Sequence, residues 1–526
     1  MKIFATLIQA LDSTNKTNQK LESIRHFLAS ADDSDKLWFL ALFTGKRPKR
    51  TVSTTLLKIW AMKVTGIPEW LFQESYAAVG DLGETISLIL PPADGYVDYP
   101  LGEWMDRIIN LTGCNDQEKE LFVLHAWQNL PHPERFIFNK LLGGSFRVGV
   151  SSKSLINAIA SYYALDPSSV AHSIMGEWEI KDTIFERLVR GEYANTMLSK
   201  PYPFCLAYAI QNVEETIKQL AEWQIEYKWD GIRGQVIKRE GEIFIWSRGE
   251  ELVTEQFPEI VEAFRHWNGD FVLDGEILGF SEGRVLNFTS LQRRLNRKVL
   301  TKKTLDEVPV SIFLYDILEY MGKDLRQDPL ETRRTILEDL FDRYNGKVVK
   351  LSPVLTQETL QDVAQLREQA REIQAEGLML KRKDSVYHTG RRKGDWWKWK
   401  IDPLTIDAVL IYAQKGSGRR SSQYTDYTFA IRAGDQLVTI AKAYSGLTDK
   451  EIQEVSRFVN KNAIEKFGPV RTVKAELVFE IAFEGIGWSS RHKAGVALRF
   501  PRILRWRRDK TIADIDDLET VKMLIK

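Results

Sequence analysis

Trp223-Gln224-Ile225-Glu226-Tyr227-Lys228-Trp229-Asp230-Gly231-Ile232-Arg233 alternates without a break. Trp223, Ile225, Tyr227 and Trp229 share one face of a strand, and Glu226, Lys228 and Asp230 share the other. The large apolar side chains read as core, so the opposite face presents a lysine between two carboxylates. Gly231 ends or bends the strand and permits close approach of a ligand, and Arg233 follows as a permanent cation. A lysine held on a rigid strand beside carboxylates and an arginine is a candidate nucleophile, because neighbouring cations depress its pKa and free the amine. A lysine on the polar face of a half-buried strand is also, ordinarily, a solvated surface residue. The strand alone leaves both readings open.

The chain has 526 residues, enough for about three domains of ordinary size. Its 44% hydrophobic and 11% aromatic content is that of a globular protein with a sizeable core. Net charge is +1, so a nucleic-acid partner would be gripped by local basic patches rather than by overall charge. Cys114 and Cys205 are the only two cysteines, which excludes a four-cysteine zinc site and argues against a disulfide framework. The N-terminal MKIFATLIQALDS resembles the start of a helix more than a signal peptide. No stretch approaches the ~20 apolar residues of a membrane span. These features predict a cytoplasmic protein without a membrane partner.

From residue 1 to about 195 the pattern is helical: Leu37, Leu40 and Phe43 recur at helical spacing, as do Leu121, Leu124 and Trp127. Gly143-Gly144-Ser145-Phe146-Arg147-Val148-Gly149-Val150-Ser151-Ser152-Lys153 runs into a helix-like stretch, with Ser151 or Ser152 as N-cap. Glycines and exposed amides at a helix start suit a phosphate oxygen, and an ordinary corner between helices is the alternative. Met197-Leu198-Ser199-Lys200-Pro201-Tyr202-Pro203 reads as a connector.

Beyond it strands and helices mix. Glu242 to Trp246 is a strand closing in Ser247-Arg248-Gly249-Glu250, and Phe271 to Leu278 alternates so that Asp274 and Glu276 share a face. Phe313 and Tyr315 fall together on another strand. Glu376-Gly377-Leu378-Met379-Leu380-Lys381 and Trp396-Trp397-Lys398-Trp399-Lys400 are two more. From about 403 short strands dominate (Ile406 to Ala413, Tyr427 to Arg432, Val438 to Ala443, Glu476 to Ala482), with one helix over Asp449 to Phe467 capped by Thr448. That composition suits a small barrel of the oligonucleotide-binding kind. The tail Arg499 to Lys510 holds six basic residues against one acidic.

The strand-borne charges fit one chemistry. Glutamates arriving on different strands suit a hard divalent cation, and several arginines and lysines suit a triphosphate, where catalysis is positioning and charge stabilisation. An aromatic ring such as Tyr315 can stack on a base. An amine facing a triphosphate points to attack of nitrogen on phosphorus. The seven histidines show no ligand spacing.

Lys228-Trp229-Asp230-Gly231-Ile232-Arg233 matches the Lys-x-Asp-Gly-x-Arg signature of the covalent nucleotidyltransferases, the ATP-dependent DNA ligases and their relatives. Ser247-Arg248-Gly249-Glu250, Asp274-Gly275-Glu276, Tyr315-Asp316, Glu376 to Lys381, Trp397 to Lys400 and Arg507-Arg508-Asp509-Lys510 resemble that family's further motifs in the right order. Phe138 to Gly144, through Val150-Ser151, looks like the DNA-binding domain of the larger, bacterial and archaeal-like three-domain ligases.

The resemblance implies an all-α DNA-binding domain over 1–200, an α+β nucleotidyltransferase domain over 201–402 and an OB-fold β-barrel over 403–526. It implies that Lys228 accepts AMP from ATP, that Glu226 reads the adenine, and that Arg233 and Arg248 hold ribose and phosphate. Glu276 would contact ribose or orient metal, and Tyr315 would stack on adenine at a position often held by Phe, with Phe313 as fallback. Glu376 would help bind Mg2+ (or Mn2+), Lys398 and Lys400 would neutralise the α-phosphate, and Arg392 would contact the nucleotide. Arg507, Asp509 and Lys510 would orient pyrophosphate. Asp230 is read as serving the turn or the surroundings of Lys228. The implied partner is nicked double-stranded DNA, sealed by a monomer, nucleoid-associated if bacterial.

Basic clusters at Leu291 to Lys303 (Arg293, Arg294, Arg297, Lys298, Lys302, Lys303) and Lys381 to Lys400 would meet backbone phosphates. An RNA ligase, a capping guanylyltransferase or a non-catalytic DNA-binding relative are the competing readings. The long helical N-terminal region weighs against the capping enzymes, and the intact motif set against a decayed site. Too few cysteines exist for the zinc module of NAD-dependent ligases.

Overall fold

In a computed structural model, the described residues are 1–525 without 15, 47, 144–149, 176–177, 194–197, 296, 298–299, 345 and 417–421. The chain forms two compact units. One comprises Ala10–Gly45 and Val148–Ile401, and the other Met1–Gln9, Lys46–Arg147 and Asp402–Lys526.

In the first unit two sheets pack face to face. The larger runs Val349–Leu351, Val310–Tyr320, Phe271–Ser281, Ile232–Arg239, Glu242–Ser247 in spatial order, and the smaller Val354–Leu355, Trp223–Trp229, Ala375–Arg382, Trp396–Lys400, Tyr208–Ala209. Ile237, Trp246, Val272 and Leu318 of the larger sheet share a buried cluster with Trp396 of the smaller one, which joins the layers. The larger sheet's outer face packs Leu273, Ile312 and Leu314 against Ile260 and Phe264 of the helix Pro258–Arg265 and Leu337 of the helix Leu330–Phe341. The smaller sheet's outer face packs Trp223, Ile225, Leu378, Leu380 and Trp397 around Val363 of the helix Leu360–Gln369. The order of layers is helix, sheet, sheet, helix.

The alternation of the Lys228 strand therefore assigns its faces correctly, yet its polar face is not a surface. Gln224 and Glu226 are as buried as Trp223 and Ile225, because the second sheet covers them. Gly231 also serves the fold: a Cβ there would lie 2.4 Å from the Ile277 carbonyl oxygen.

In the second unit, the helices Leu101–Asn110, Asp116–Asn129 and His132–Gly143 enclose Trp104, Trp127 and Phe138. The expected stripe Leu121, Leu124, Trp127 is displaced: Leu121 is exposed, while Val123, Ala126 and Trp127 are buried. Phe138 to Leu142 is buried throughout. Its Asn139 accepts from the Trp127 indole at 2.7 Å and Lys140 pairs with Asp81 at 2.6 Å, so this stretch serves the core. Residues 144–149 of the expected phosphate-binding turn lie outside the described residues, as do Met197 of the connector and Lys298. In the first unit, Ser151 does cap the helix Ser152–Tyr163.

The strand-rich part of this unit is a sheet in which Leu404–Lys415 pairs with Tyr424–Ala433, Val470–Val473 and Val478–Phe483. Thr448 caps a helix, as expected, in a box with Glu451. That helix ends at Asn462, and Ala463–Phe467 is a strand paired with Val470–Val473. The turn at Gly468 takes a positive φ of 53° and permits the hairpin. No described helix is long and apolar enough to cross a membrane.

Candidate active site

Lys228 stands opposite an irregularity in the neighbouring strand. Trp229 is paired with Ala375 and Tyr227 with Leu378, so both Glu376 and Gly377 face Lys228. Strict alternation would put Glu376 with Leu378 and Leu380 on the apolar face. The bulge turns it over instead, and its carboxylate receives the Lys228 ammonium directly and Lys400 Nζ at 3.3 Å. Burial works to raise the Glu376 pKa, but Lys228 and then Lys400 outweigh it and hold the carboxyl below its usual range. The lysine expected between carboxylates is thus met by one from another strand, Glu376.

Glu276, on the facing sheet, is directly opposite Arg233 and Phe313 in register. Burial pushes its carboxyl up to about 7 against the opposing pull of Lys228 and Arg233. Two carboxylates of different acidity thus act on one lysine. Lys398, on the same face as Lys400, has its pKa lowered by burial and then by Arg391, Lys228, Lys400 and Arg248. A cationic field of this kind suits phosphate oxygens. Arg248 is exposed just past its strand and its N–H donates to the Arg233 carbonyl at 3.0 Å.

Behind the lysine lies a network that the sequence named only in part. Asp274, fully buried, accepts from Arg233 Nε at 3.1 Å and Nη2 at 2.6 Å, from the Tyr315 hydroxyl at 3.0 Å and from the Tyr387 hydroxyl at 2.6 Å. Arg233 also donates to the Cys205 carbonyl at 2.5 Å. Burial disfavours the Arg233 charge, but Asp274 overcomes this and raises its pKa. The fork of Arg233 is thereby spent on a carboxylate. The Tyr315 hydroxyl, present where Phe is common, is one of Asp274's donors, and the ring carries Lys381 Nζ 4.3 Å from its centroid. Phe313 instead packs on Trp229, with ring centroids 5.1 Å apart.

Glu226 pairs with Lys381 at 2.9 Å, both 2% exposed, and accepts from Gln224 at 2.6 Å on the same oxygen, Oε1. Lys381 was within reach of the sequence, since alternation puts it on the Lys228 face. Tyr387 was not: it sits in a loop without period and meets Asp274 only through the fold.

The remaining expected residues fall into three groups. Arg392 is 66% exposed and turns toward His388 and Asp395, whereas Arg391 acts on Lys398. Arg507, Asp509 and Lys510 belong to the other unit, where Arg507 and Lys510 both donate to Asp407. Of the first basic cluster, Arg294 is fully buried and bonded to Glu259 and to the Gln256 and Val308 carbonyls, so it is core rather than a phosphate contact. Arg293 and Arg297 are exposed and line a cleft of about 300 Å³ with Thr304 and Glu307.

Three family models match the chain: "DNA ligase N terminus" over residues 1–160, "ATP dependent DNA ligase domain" over 204–400 and "ATP dependent DNA ligase C terminal region" over 420–510. A protein named DNA ligase 1 from Korarchaeum cryptofilum is 30% identical over 99% of this chain and 97% of its own. One named Probable DNA ligase from Koribacter versatilis is 29% identical over 100% of this chain and 96% of its own. A solved structure named Pmar-Lig_Pre shares the fold, with a TM-score of 0.62 at 17% identity over 96% of this chain and 99% of that one.

Proposed function

The chain belongs to the ATP-dependent DNA ligases, and from that premise we propose that Lys228 is the residue that carries the nucleotide. The observation that supports this most directly is the bulge that brings the Glu376 carboxylate to the Lys228 ammonium beside Lys398 and Lys400. Nζ, as free amine, attacks the α-phosphorus of ATP. The N–P bond forms as the bond to the bridging oxygen breaks, and pyrophosphate leaves with that electron pair. The proton lost from nitrogen passes to solvent or to the departing pyrophosphate. AMP then passes to the 5′-phosphate of a nick, the N–P bond breaking as a P–O–P bond forms. Finally the 3′-hydroxyl attacks that 5′-phosphorus, AMP leaves, and the strand is closed.

Lys398 and Lys400 neutralise the α-phosphate, Glu226 reads the base through the carboxylate oxygen not bonded to Lys381, and Tyr315 or Phe313 supports the purine. Arg248 and Arg392 contribute charge to nucleotide and DNA, and Arg507, Asp509 and Lys510 orient pyrophosphate. Arg233 acts mainly by holding Asp274. A divalent cation, Mg2+ or Mn2+, suits two carboxylates completed by other oxygen donors; among the described residues no group of three or more His, Cys, Asp or Glu is placed to hold a metal ion by itself. Glu276 and Glu376 would be its protein ligands, with phosphate oxygens and water completing the shell. When bound it supplies charge neutralisation at phosphate oxygens.

Residues 1–200 serve as DNA-binding domain, 201–402 as nucleotidyltransferase domain and 403–526 as an OB-fold barrel, in a cytoplasmic monomer acting on nicked duplex DNA. The test is a mass spectrum of the chain after incubation with ATP and Mg2+, followed by sealing assays on nicked DNA with ATP, NAD or GTP alone. One AMP on Lys228 and sealing with ATP are expected. An adduct on another side chain, or none, would overturn the assignment.

A further inference from the structure

The cations that the proposed function reserves for pyrophosphate are already occupied within their own unit. Arg507 spends Nε and Nη2 on Asp509 at 3.0 and 2.7 Å, and Nη1 on the two oxygens of Asp407 at 3.3 and 3.2 Å. Lys510 Nζ donates to Asp407 Oδ2 at 2.5 Å. Asp407 lies on the strand Leu404–Lys415 opposite Glu480, which in turn accepts from Arg505 Nε at 2.5 Å and lies 4.0 Å from Arg507. Three carboxylates thus offset three cations, and Asp407 is shared by Arg507 and Lys510.

Asp407 is also fixed from behind. Its N–H donates to Asp516 Oδ2 at 2.7 Å, and its carbonyl accepts from the Asp516 N–H at 2.9 Å. Its side chain is 12% exposed. A carboxylate held this way keeps a guanidinium and an ammonium converged on one point. A phosphate oxygen seeks the same donors in the same directions. A phosphate must therefore compete with Asp407 for these donors, and the two anions repel when both approach one cation.

We propose that Asp407 is a positioning residue for the pyrophosphate step: an internal anion that holds Arg507 and Lys510 in place and is displaced from them by the β- and γ-phosphates of ATP. This rests on the reading that Arg507 and Lys510 meet pyrophosphate. Displacing Asp407 opposes ATP binding, so removing its charge while keeping its shape eases the step that handles pyrophosphate and no other.

The test uses the full chain and Asp407→Asn. The KM for ATP in labelling of Lys228 is expected to fall about fivefold, the scale of a partly exposed ion pair. Pyrophosphate should strip AMP from the loaded chain at a concentration lower by the same factor. Sealing of a nick that already carries a 5′-adenylate involves no pyrophosphate and should be unchanged. Asp407→Ser, which keeps the backbone bonds to Asp516, must move the ATP KM the same way, and Asp407→Glu must restore it. An unchanged or raised KM, equal loss of labelling and sealing, or failure of both neutral variants to fold would each make Asp407 structural and overturn the proposal. Arg507→Ala separates the two levels. If it leaves ATP labelling untouched, the pyrophosphate reading itself fails; if it raises the KM while Asp407→Asn does not lower it, only the present inference fails.

Discussion

Glu376 reaches the Lys228 ammonium because it and Gly377 together oppose a single residue of the neighbouring strand. The pairing is made by a break in the sheet, not by its regular pleat. Gly377 takes a φ of +136°, where a side chain is strained, and a Cβ there would lie 2.2 Å from the Trp399 carbonyl oxygen. The glycine makes the bulge, and the bulge supplies the lysine's counter-ion.

Gly377→Ala should therefore damage the site without touching a reacting group. We expect a stability loss of about 2–4 kcal/mol from backbone strain and overlap, with at least a hundredfold slower labelling of Lys228. Thermal unfolding and single-turnover labelling with ATP measure the two. Lys228→Ala should abolish labelling with its folding intact. A Gly377→Ala chain that labels at the normal rate would show that Glu376 need not be held by the bulge.

Glu276 predicts a pH dependence. Its folded-state carboxyl, near 7 against an ordinary 4.5, binds its proton more tightly folded than unfolded. That contribution favours folding below about 4.5 and is lost as pH rises through about 7. Glu276→Gln removes the buried charge, so the variant should match the natural chain near pH 4 and exceed it near pH 8 by about 3 kcal/mol. Unfolding midpoints at the two pH values decide it. A deficit at pH 8 would show that Glu276 is ionised and stabilised in the folded chain.

The Asp274 network separates scaffold from chemistry. Tyr387→Phe removes one of the four bonds to a buried carboxylate and should cost about 1–3 kcal/mol. Arg233→Ala strands that carboxylate and should cost about 3–5 kcal/mol. Arg233→Lys restores charge but not the two-pronged geometry, so it should lower denaturant resistance more than it raises the KM for ATP. A normal unfolding midpoint with a strongly raised KM would return Arg233 to direct nucleotide contact.

How much of this was legible in the chain follows from its periods. Two-residue alternation identified the face carrying Lys228, Lys398 and Lys400 and the face packed with Trp223 and Trp397, because each strand is regular where those residues lie. It could not show that the second sheet covers Glu226, nor that a two-for-one register turns Glu376 over. Asp274 stood in a quoted motif, yet its donors come from Arg233, Tyr315 and Tyr387, distant positions that only folding brings together. The Ala463–Phe467 strand was read as helix because the amphipathic pattern of Asp449–Asn462 runs smoothly into it. Charge counting treated Arg293, Arg294 and Arg297 alike, although Arg294 is buried and the other two are exposed.

That separation yields a last prediction. Arg294 is fully buried and bonded to the partly exposed Glu259 and to the Gln256 and Val308 carbonyls, and replacing it by alanine leaves those carbonyls without their donor, at about 1–3 kcal/mol. Its charge is already neutralised inside the protein, so it releases no counter-ion from DNA. Arg293 and Arg297 are exposed beside the cleft. If both meet backbone phosphates, the double alanine variant should reduce the slope of log binding constant against log salt by about two, one for each phosphate it no longer neutralises. The measurement is fluorescence anisotropy with a nicked duplex over a salt series, alongside urea unfolding. Arg294→Ala should move the unfolding midpoint and leave the slope, and the double variant should do the reverse. A slope unchanged in the double variant would remove this cleft from the DNA-binding surface.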